Sequence, residues 1–328
     1  MCIRDRGKKV LLSELEGHVA DVAIAPDGGI WVAMNVKEAS QKWRPHILLL
    51  TPDGTQTGVD RPGELGHTLR GIAADVKGGC FAVGYAVVDG GDLDVVYQGV
   101  NAAHQGTITN TWDYQPPPFA SHSFADAAMD VVIDGDLAWI AGLSVGQHGG
   151  QDDQEPYTRG MIVPLDIHTG ELAGPVIIAP SSGSWQHSMF FGLALHPEGV
   201  VVTGAGCQDA CGGMQRIETS RYTHTGLRAW HQPEAPADGA YGSDVVLDSQ
   251  GRAIVAGASK QAGVSRGHTF ARTLDKIEPT PLWEHWFPVS KEASEALGAA
   301  RDMYDRIFIG GYITAGGSPQ ARLVQLSP

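Results

Sequence analysis

Apolar residues alternate with small or polar ones in short runs that recur along the whole chain. Six repeats share one pattern, in which an apolar run meets a turn with Asp or Gly and a second apolar run ends in small residues. They are DVAIAPDGGIWVAM from Asp21, GIAADVKGGCFAVGY from Gly71, DVVIDGDLAWIAGL from Asp130, GLALHPEGVVVTGA from Gly192, DVVLDSQGRAIVAGA from Asp244 and GAARDMYDRIFIGGY from Gly298. These six first residues, the anchors, are 50, 59, 62, 52 and 54 residues apart, which leaves room for four strands in each repeat.

Further runs in each repeat, such as HILLLTPDG from His46 and PLWEHWF from Pro281, supply the third and fourth strands. The sequence therefore predicts an all-β fold, a six-bladed β-propeller of four-stranded antiparallel blades. The sixth repeat stops after its third run, ARLVQLSP. An N-terminal strand from Val10 to Leu15 would close the ring and cover the exposed sheet edge. Seven blades, or a fragment of a longer propeller, is the alternative.

The first six residues, MCIRDR, resemble translated adapter sequence, so residues 1–6 are interpreted as adapter-derived or non-native. Residues 7–328 are predicted to form a single β-propeller domain. We expect a signal peptide to be missing from this sequence together with the natural N-terminus.

The pattern xDVxxDxxGxxxVAG is clearest in DVVLDSQGRAIVAGAS from Asp244. It resembles the bacterial β-propeller repeat family that is often found in large exported or surface proteins. The resemblance covers nearly the whole chain and implies the fold and an extracytoplasmic location, whether periplasmic, cell surface or secreted. It implies no catalytic motif. The Gly-His pairs at His18 and His67 are similar to those of WD40 repeats, but the Trp-Asp that ends the third strand there is missing.

Charge and hydropathy exclude two classes of partner. The chain has 37 Asp and Glu against 23 Lys and Arg, a formal net charge of -14, so its surface would repel a phosphate backbone. Nucleic acid is therefore not expected as a partner. The longest apolar runs, such as residues 47–50, fall far short of the roughly 20 residues that span a bilayer, which predicts no transmembrane segment.

Two sets of residues are interpreted as structural. Four aspartates occupy equivalent turns after the first strand, where each carboxylate should accept backbone N–H groups. They are Asp75, Asp134, Asp248 and Asp302. Cys207 and Cys211 are separated by three residues in a loop, so a disulfide between them is predicted, which would indicate an oxidising compartment.

Histidines are predicted in the loops just before the first strands, and aromatic side chains are expected on the same face of the propeller. They are candidates to bind a ligand by stacking on a sugar or gripping a peptide. These candidates are Trp43, Tyr157, Trp185, Tyr241, His18, His67, His122 and His187. The alternative is structural: Trp43 and Trp185 would cap the ends of their blades, and the histidines would bond the neighbouring blade.

The anchors alternate between carboxylate and glycine. If each anchor opens the inner strand of its blade, Asp21, Asp130 and Asp244 would stand at threefold spacing around the propeller axis. Three such carboxylates repel one another unless a cation intervenes, and Ca²⁺ suits an oxygen-rich ring. Ca²⁺ on the axis is therefore the cofactor candidate. The alternative is that each Asp bonds the backbone of its own loop.

No nucleophile-elbow, phosphate-loop or His-Glu-x-x-His motif is present in the sequence. The preferred hypothesis is accordingly a non-catalytic exported propeller that binds a protein, peptide or glycan through its loop face. The alternative is a propeller enzyme of lactonase or lyase type with an axial metal site. An intracellular WD40-like adaptor is a third reading.

Overall fold

The computed structural model describes residues 17–87, 93–103, 105–112, 125–146, 157–180, 187–207, 215–234, 239–260, 267–274, 281–286, 294–315 and 318–326. Across these residues the regular secondary structure is all strand, arranged in consecutive antiparallel meanders. No helix in this part of the chain is long and apolar enough to cross a membrane.

The strands group into six sheets. Blade 1 contains β1 (Gly17–Ile24), β2 (Ile30–Lys37), β3 (Trp43–Leu50) and β4 (Gln56–Pro62), and blade 2 contains β5 (His67–Ala74), β6 (Cys80–Val87), β7 (Leu93–Val100) and β8 (Gly106–Trp112). Blade 3 contains β9 (Ala125–Asp134), β10 (Leu137–Gly146), β11 (Tyr157–Asp166) and β12 (Ile177–Ile178), and blade 4 contains β13 (His187–His196), β14 (Gly199–Cys207), β15 (Gln215–Thr223) and β16 (Arg228–Glu234). Blade 5 contains β17 (Ala240–Leu247), β18 (Ala253–Lys260), β19 (Gly267–Leu274) and β20 (Pro281–Trp286), and the sixth sheet contains β21 (Ser294–Arg301), β22 (Ile307–Ala315) and β23 (Ser318–Leu326).

The predicted all-β propeller is confirmed, but the predicted number of complete blades is wrong. Among the described residues there are five four-stranded blades rather than six or seven. The described strands of the sixth repeat, β21 to β23, form a sheet of three strands, because this repeat contains three apolar runs. The N-terminal segment predicted to complete it, residues 10–15, lies outside the described residues.

The chain divides into two compact units. Unit 1 comprises Met1–Pro156 and Ile162–Val176, and unit 2 comprises Tyr157–Met161 and Ile177–Pro328. In unit 1, Trp31, Ala33 and Ile47 of blade 1 pack against Leu69 and Cys80 of blade 2, all of them buried. In unit 2, blade 5 and the sixth sheet share a second core. Its buried members are Ile254, Ala256, Ala296, Ile307 and Ile309. Within each unit, neighbouring sheets thus bury faces against each other, as stacked blades do.

The turn between the first and second strands defines what we call the hairpin end of a blade. There the carboxylate Oδ1 of Asp75 accepts the N–H groups of Lys77 and Gly79, at 2.6 and 2.9 Å. Asp248 and Asp302 do the same in their own turns, each accepting two N–H groups at 2.9 Å. The predicted structural role is confirmed at these three positions.

A β-bulge interrupts the first strand of every blade at one place, directly before the anchor. The bulged residues are Ala20, Arg70, Met129, Phe191, Ser243 and Leu297. The anchors are therefore in the middle of their strands, not at the first position as predicted. His18, His67 and His187 correspondingly lie within β1, β5 and β13 rather than in the loops before them. An extra residue of this kind re-aims the side chains around it.

Candidate functional site

Two phenols and one carboxylate meet at the opposite end of the blades in unit 2. We call this the open end, where the first strand begins and the second strand finishes. Tyr241 is the second residue of β17 and Glu295 the second residue of β21. Tyr312 on β22 is the direct cross-strand partner of Glu295. These three residues form the Tyr–Glu cluster.

Both phenols of the Tyr–Glu cluster donate to the same carboxylate. The Tyr241 hydroxyl donates a short hydrogen bond to Oε1 of Glu295, and the Tyr312 hydroxyl donates to Oε2 at 2.7 Å. The bulged residue Phe191 lies edge-on to Tyr241, with ring centroids 6.1 Å apart. Glu295 is therefore oriented from both sides, and Tyr241 is held by a ring contact as well as by its hydrogen bond.

The surroundings keep the phenols of the cluster protonated. Burial raises the pKa of Tyr241 well above its usual range, and the hydrogen bond and negative charge of Glu295 raise it further. The hydrogen bond to Glu295 also raises the pKa of Tyr312. Glu295 is the acceptor in contact with the Tyr241 hydroxyl, so it is placed to receive the phenolic proton.

Two members of the cluster, Glu295 and Tyr312, border a small crevice at the surface. Glu295, Tyr312 and the exposed Arg322 line it, together with Gly311. A Cβ at Gly311 would lie 2.0 Å from the carbonyl oxygen of Glu295, so only glycine fits there. The close approach of β21 and β22 at this point brings the carboxylate and Tyr312 together.

The open end of unit 1 holds a second group of predicted residues. His18 and Trp43 are in edge contact, with ring centroids 5.0 Å apart. Asn35, which is fully buried, donates to Nε2 of His18 at 3.2 Å. The same amide donates to the carbonyl of Leu69 and accepts its N–H, at 2.9 and 2.8 Å, which joins blade 1 to blade 2. The sequence predicted His18 and Trp43 as ligand-binding candidates but missed Asn35.

The other predicted histidines have different surroundings. Burial lowers the pKa of His67, and its Nδ1 is buried with no hydrogen-bond partner among the described residues. Nδ1 of the buried His187 accepts the N–H of Thr158 at 3.1 Å. His187 therefore ties β13 to β11, which is the structural role weighed for these histidines.

Several predicted residues fall outside the described part of the chain. These are His122, Trp185 and Cys211, while Tyr157 begins β11 with its side chain undescribed. Cys207 is buried at the end of β14. The disulfide between Cys207 and Cys211 therefore stays a prediction.

The anchor aspartates contact backbone N–H groups. Oδ1 of Asp21 accepts the N–H of Val22 at 2.7 Å, and Oδ2 accepts the N–H of Ile72 on blade 2 at 2.9 Å. Asp244 accepts the N–H groups of Val245 and Ala299 in the same way, and Asp130 accepts that of Val131. Burial raises the pKa of Asp21 to about 6. Among the described residues no group of three or more His, Cys, Asp or Glu side chains is placed to hold a metal, and Ca²⁺ at these aspartates stays a prediction.

A buried ion network in blade 4 is a further charged group that the sequence did not single out. Glu218 accepts from Arg216 Nε at 2.6 Å and contacts His231 Nε2 at 2.5 Å. Burial opposes ionisation of Glu218, but the hydrogen bond and charge of His231 and the charge of Arg216 outweigh it and lower the pKa. The network pairs β15 with β16 in the interior of unit 2, away from solvent.

No protein-family model matches the chain, and no curated protein matches it in sequence. Solved structures do match its fold. The NanB sialidase from Streptococcus pneumoniae has 7% identity and a TM-score of 0.58, over 97% of this chain and 70% of that one. A Hadza microbial sialidase has 11% identity and a TM-score of 0.53, over 98% and 71%. A glucose dehydrogenase has 10% identity and a TM-score of 0.51, over 96% and 99%. At these identities the likeness shows the β-propeller fold, not membership of a family.

These comparisons correct the functional prediction. The preferred hypothesis of a non-catalytic binding propeller is contradicted, because the similar structures are named mainly as sialidases and sugar dehydrogenases. The original preference rested on the absence of linear motifs, and a site assembled from separate blades leaves no such motif in the sequence.

Proposed function

We propose that the chain is a β-propeller enzyme acting on sugars, a glycoside hydrolase with Tyr241 as nucleophile and Glu295 as general base. The observation that carries the proposal is the hydrogen bond from the Tyr241 hydroxyl to the Glu295 carboxylate. A nucleophile in contact with a base, which a third group orients, is the usual arrangement for covalent catalysis, and Tyr312 is that third group. Tyrosine is the nucleophile of sialidases, whereas most glycosidases use a carboxylate.

The chemistry follows from the protonation states. Since the pKa of Tyr241 is raised, attack by its oxygen on the anomeric carbon requires transfer of the phenolic proton to Glu295. The bond from the anomeric carbon to the leaving group breaks as the new bond to the phenol oxygen forms, and the departing oxygen takes up the proton that Glu295 received from Tyr241. Water then attacks the same carbon, Glu295 takes a proton from that water and passes it to the released phenolate of Tyr241, and the free sugar leaves. Tyr312 remains a donor and keeps Glu295 aligned in both steps.

Partner and location belong to the same proposal. A glycan is the partner that suits this chemistry, and the similar structures named as sialidases and a glucose dehydrogenase support a sugar substrate. An extracytoplasmic location is supported by the resemblance of the repeats to those of exported or surface proteins. Mass spectrometry of the protein from its natural compartment, without reductant, tests the Cys207–Cys211 disulfide that would accompany it.

Metal-assisted lactonase or lyase chemistry is the second candidate, with Ca²⁺ at Asp21, Asp130 and Asp244. Burial raises the pKa of Asp21 to about 6, and a bound cation would stabilise the ionised form of such a buried carboxylate. Against it, both oxygens of Asp21 and of Asp244 already accept backbone N–H groups. Thermal melts with Ca²⁺ and with chelator decide: the metal proposal requires a higher Tm with Ca²⁺ that Asp130→Asn abolishes.

The proposed hydrolase is tested with a panel of methylumbelliferyl glycosides that includes the sialoside. We expect turnover of at least one of them, and a loss of about a hundredfold or more in kcat for Tyr241→Phe. Tyr97→Phe is the matched control, because the Tyr97 hydroxyl donates to a backbone carbonyl, that of Gly170, and not to a carboxylate. Equal turnover by wild type and Tyr241→Phe, or no turnover of any glycoside in the panel, overturns the proposal.

A further inference from the structure

The open end of unit 1 carries an exposed cation that the candidate site in unit 2 does not use. Arg70 is the bulged residue of β5 and the only charged one among the six bulged residues. Its guanidinium lies 5.4 Å from the ring centroid of Tyr85 and donates to the Tyr85 hydroxyl at 3.2 Å. Among the described residues, these are its hydrogen bonds and ring contacts. Four of its five N–H groups therefore remain for a ligand.

Aromatic surface adjoins this cation. Arg70 follows Leu69, and the Asn35 side chain forms hydrogen bonds with both the N–H and the carbonyl of Leu69. Asn35 also donates to His18, whose ring contacts Trp43. Burial lowers the pKa of the His18 imidazole, and the positive charge of Arg70 lowers it further. Arg70 therefore provides the fixed positive charge of this group.

We propose that His18, Trp43, Arg70 and Tyr85 form a subsite for a carboxylated saccharide. A guanidinium matches a carboxylate with two parallel hydrogen bonds, and it does so better than an ammonium group. The aromatic rings supply flat apolar area against which the C–H face of a sugar packs. In a chain with a formal charge of -14, an exposed arginine that stacks on a tyrosine ring marks where an anionic sugar is attracted rather than repelled.

The inference deepens the proposed function, on which it rests for the choice of a saccharide. It assigns the subsite to residues of unit 1, whereas the Tyr–Glu cluster consists of residues of unit 2. Binding at the subsite therefore does not require Tyr241, and the two proposals can fail separately.

Calorimetric titration with trigalacturonate tests the subsite, because its methyl ester has the same sugar rings without the charges. We expect wild type to bind trigalacturonate about tenfold or more tightly than the ester, and Arg70→Gln to lose that difference. Trp43→Ala should weaken binding of both ligands. The matched control is Arg306→Gln, since Arg306 also stacks on a tyrosine, Tyr304 at 5.2 Å, but lies at a hairpin end in an ion pair with Asp302.

Tyr241→Phe separates the subsite from the proposed hydrolase. This variant should bind trigalacturonate like wild type while its glycoside turnover is lost. The subsite is overturned if wild type does not bind trigalacturonate, if the ester binds equally well, or if Arg70→Gln and Arg306→Gln behave alike. Binding that persists in a protein with no glycoside turnover leaves the subsite standing and removes the hydrolase.

Discussion

The hairpin end and the open end of each blade are formed by the same pair of strands, yet they differ in how their residues vary between blades. At the hairpin end, Asp75, Asp248 and Asp302 make the same two backbone contacts in three blades. At the open end, the position three residues before the anchor changes in every blade. It is His18, Thr68, Ala127, Met189, Tyr241 and Glu295 in turn. The repeated residues at the hairpin end specify the fold, and the variable residues at the open end can supply functional side chains.

The β-bulge separates these two ends. On the hairpin side of the bulge, side chains alternate in regular register with the second strand. On the open side the register is shifted by one residue, which is where the Tyr–Glu cluster and the Arg70 subsite occur. Substitutions on the hairpin side should therefore change stability without changing activity, whereas activity and binding should respond to substitutions on the open side.

The largest effect on stability is expected for Trp31→Ala. Trp31 is fully buried and donates from its indole to the carbonyl of Gly78 in the hairpin of blade 2, at 3.2 Å. Its truncation should lower the free energy of unfolding by about 3–5 kcal/mol, measured by urea denaturation. Tyr304→Ala, at a side chain that is 69% exposed in another hairpin, is the control and should change it by less than about 0.5 kcal/mol. Similar losses in the free energy of unfolding of the two variants would contradict the stabilising role assigned to the buried Trp31.

Asp248→Ala tests the repeated turn itself. Besides two backbone N–H groups, the Asp248 carboxylate accepts from Arg252 Nε at 2.5 Å while nearly buried. We expect a loss of about 2–3 kcal/mol in the free energy of unfolding, and about half of that for Asp248→Asn, which keeps one acceptor oxygen. Activity per folded molecule should be unchanged in both. A lower kcat in a variant that is fully folded would contradict the separate roles of the hairpin end and the open end.

The anchor glycines test whether close backbone approach next to the bulge contributes to stability. A Cβ at Gly71 would lie 2.9 Å from the Cα of Asp130, and one at Gly192 would lie 2.5 Å from the Cα of Asp244. Gly71→Ala and Gly192→Ala should each lower the free energy of unfolding by about 1–3 kcal/mol.

Gly298→Ala is the internal control for these two variants. The atom nearest to its added Cβ is Oδ2 of Asp244, at an ordinary 3.7 Å, so a change below about 0.5 kcal/mol is expected. Equal losses at Gly71, Gly192 and Gly298 would show that backbone approach is not the reason for the glycines.

The smallest effect is a pH dependence at the open end of unit 1. Burial lowers the pKa of His67 from its ordinary value of 6.5, so the unfolded chain binds the proton more readily than the folded one. The stability present above pH 6.5 is therefore lost as the pH falls through and below that value. His67→Gln should lose less stability than wild type between pH 7 and pH 5, in urea titrations at fixed ionic strength. Parallel curves for the two proteins over that interval contradict this.

The fold was largely predictable because its signals are local and repeated. Alternating runs and turn aspartates recur within each repeat, so the blades and the contacts of Asp75, Asp248 and Asp302 could be read from single segments. The position of the anchors could not, since a bulge has no fixed residue type: Ala20, Arg70 and Phe191 all occupy it. The anchors were therefore placed at strand starts, and the histidines in loops.

The candidate site was only half predictable. Tyr241 was identified as an exposed aromatic, but its partner Glu295 is contributed by the next repeat and carries no local signal. Alignment of the six repeats on their anchors places Glu295 at the position that Tyr241 occupies in its own blade, and that comparison would have singled it out. Asn35 was missed for a similar reason, because its contacts are to the backbone of Leu69 in another blade.

Covalent trapping tests the central claim, that Tyr241 is the nucleophile of a glycoside hydrolase, most directly. The protein is incubated with a fluorinated glycosyl fluoride of the sugar that gives the highest turnover, so that the glycosyl-enzyme forms faster than it is hydrolysed. Peptide mapping by mass spectrometry should then find one fluoroglycosyl group per chain, attached to Tyr241 and absent from Tyr241→Phe. A label on Glu295 or on any other residue, or continued turnover by Tyr241→Phe, contradicts the account.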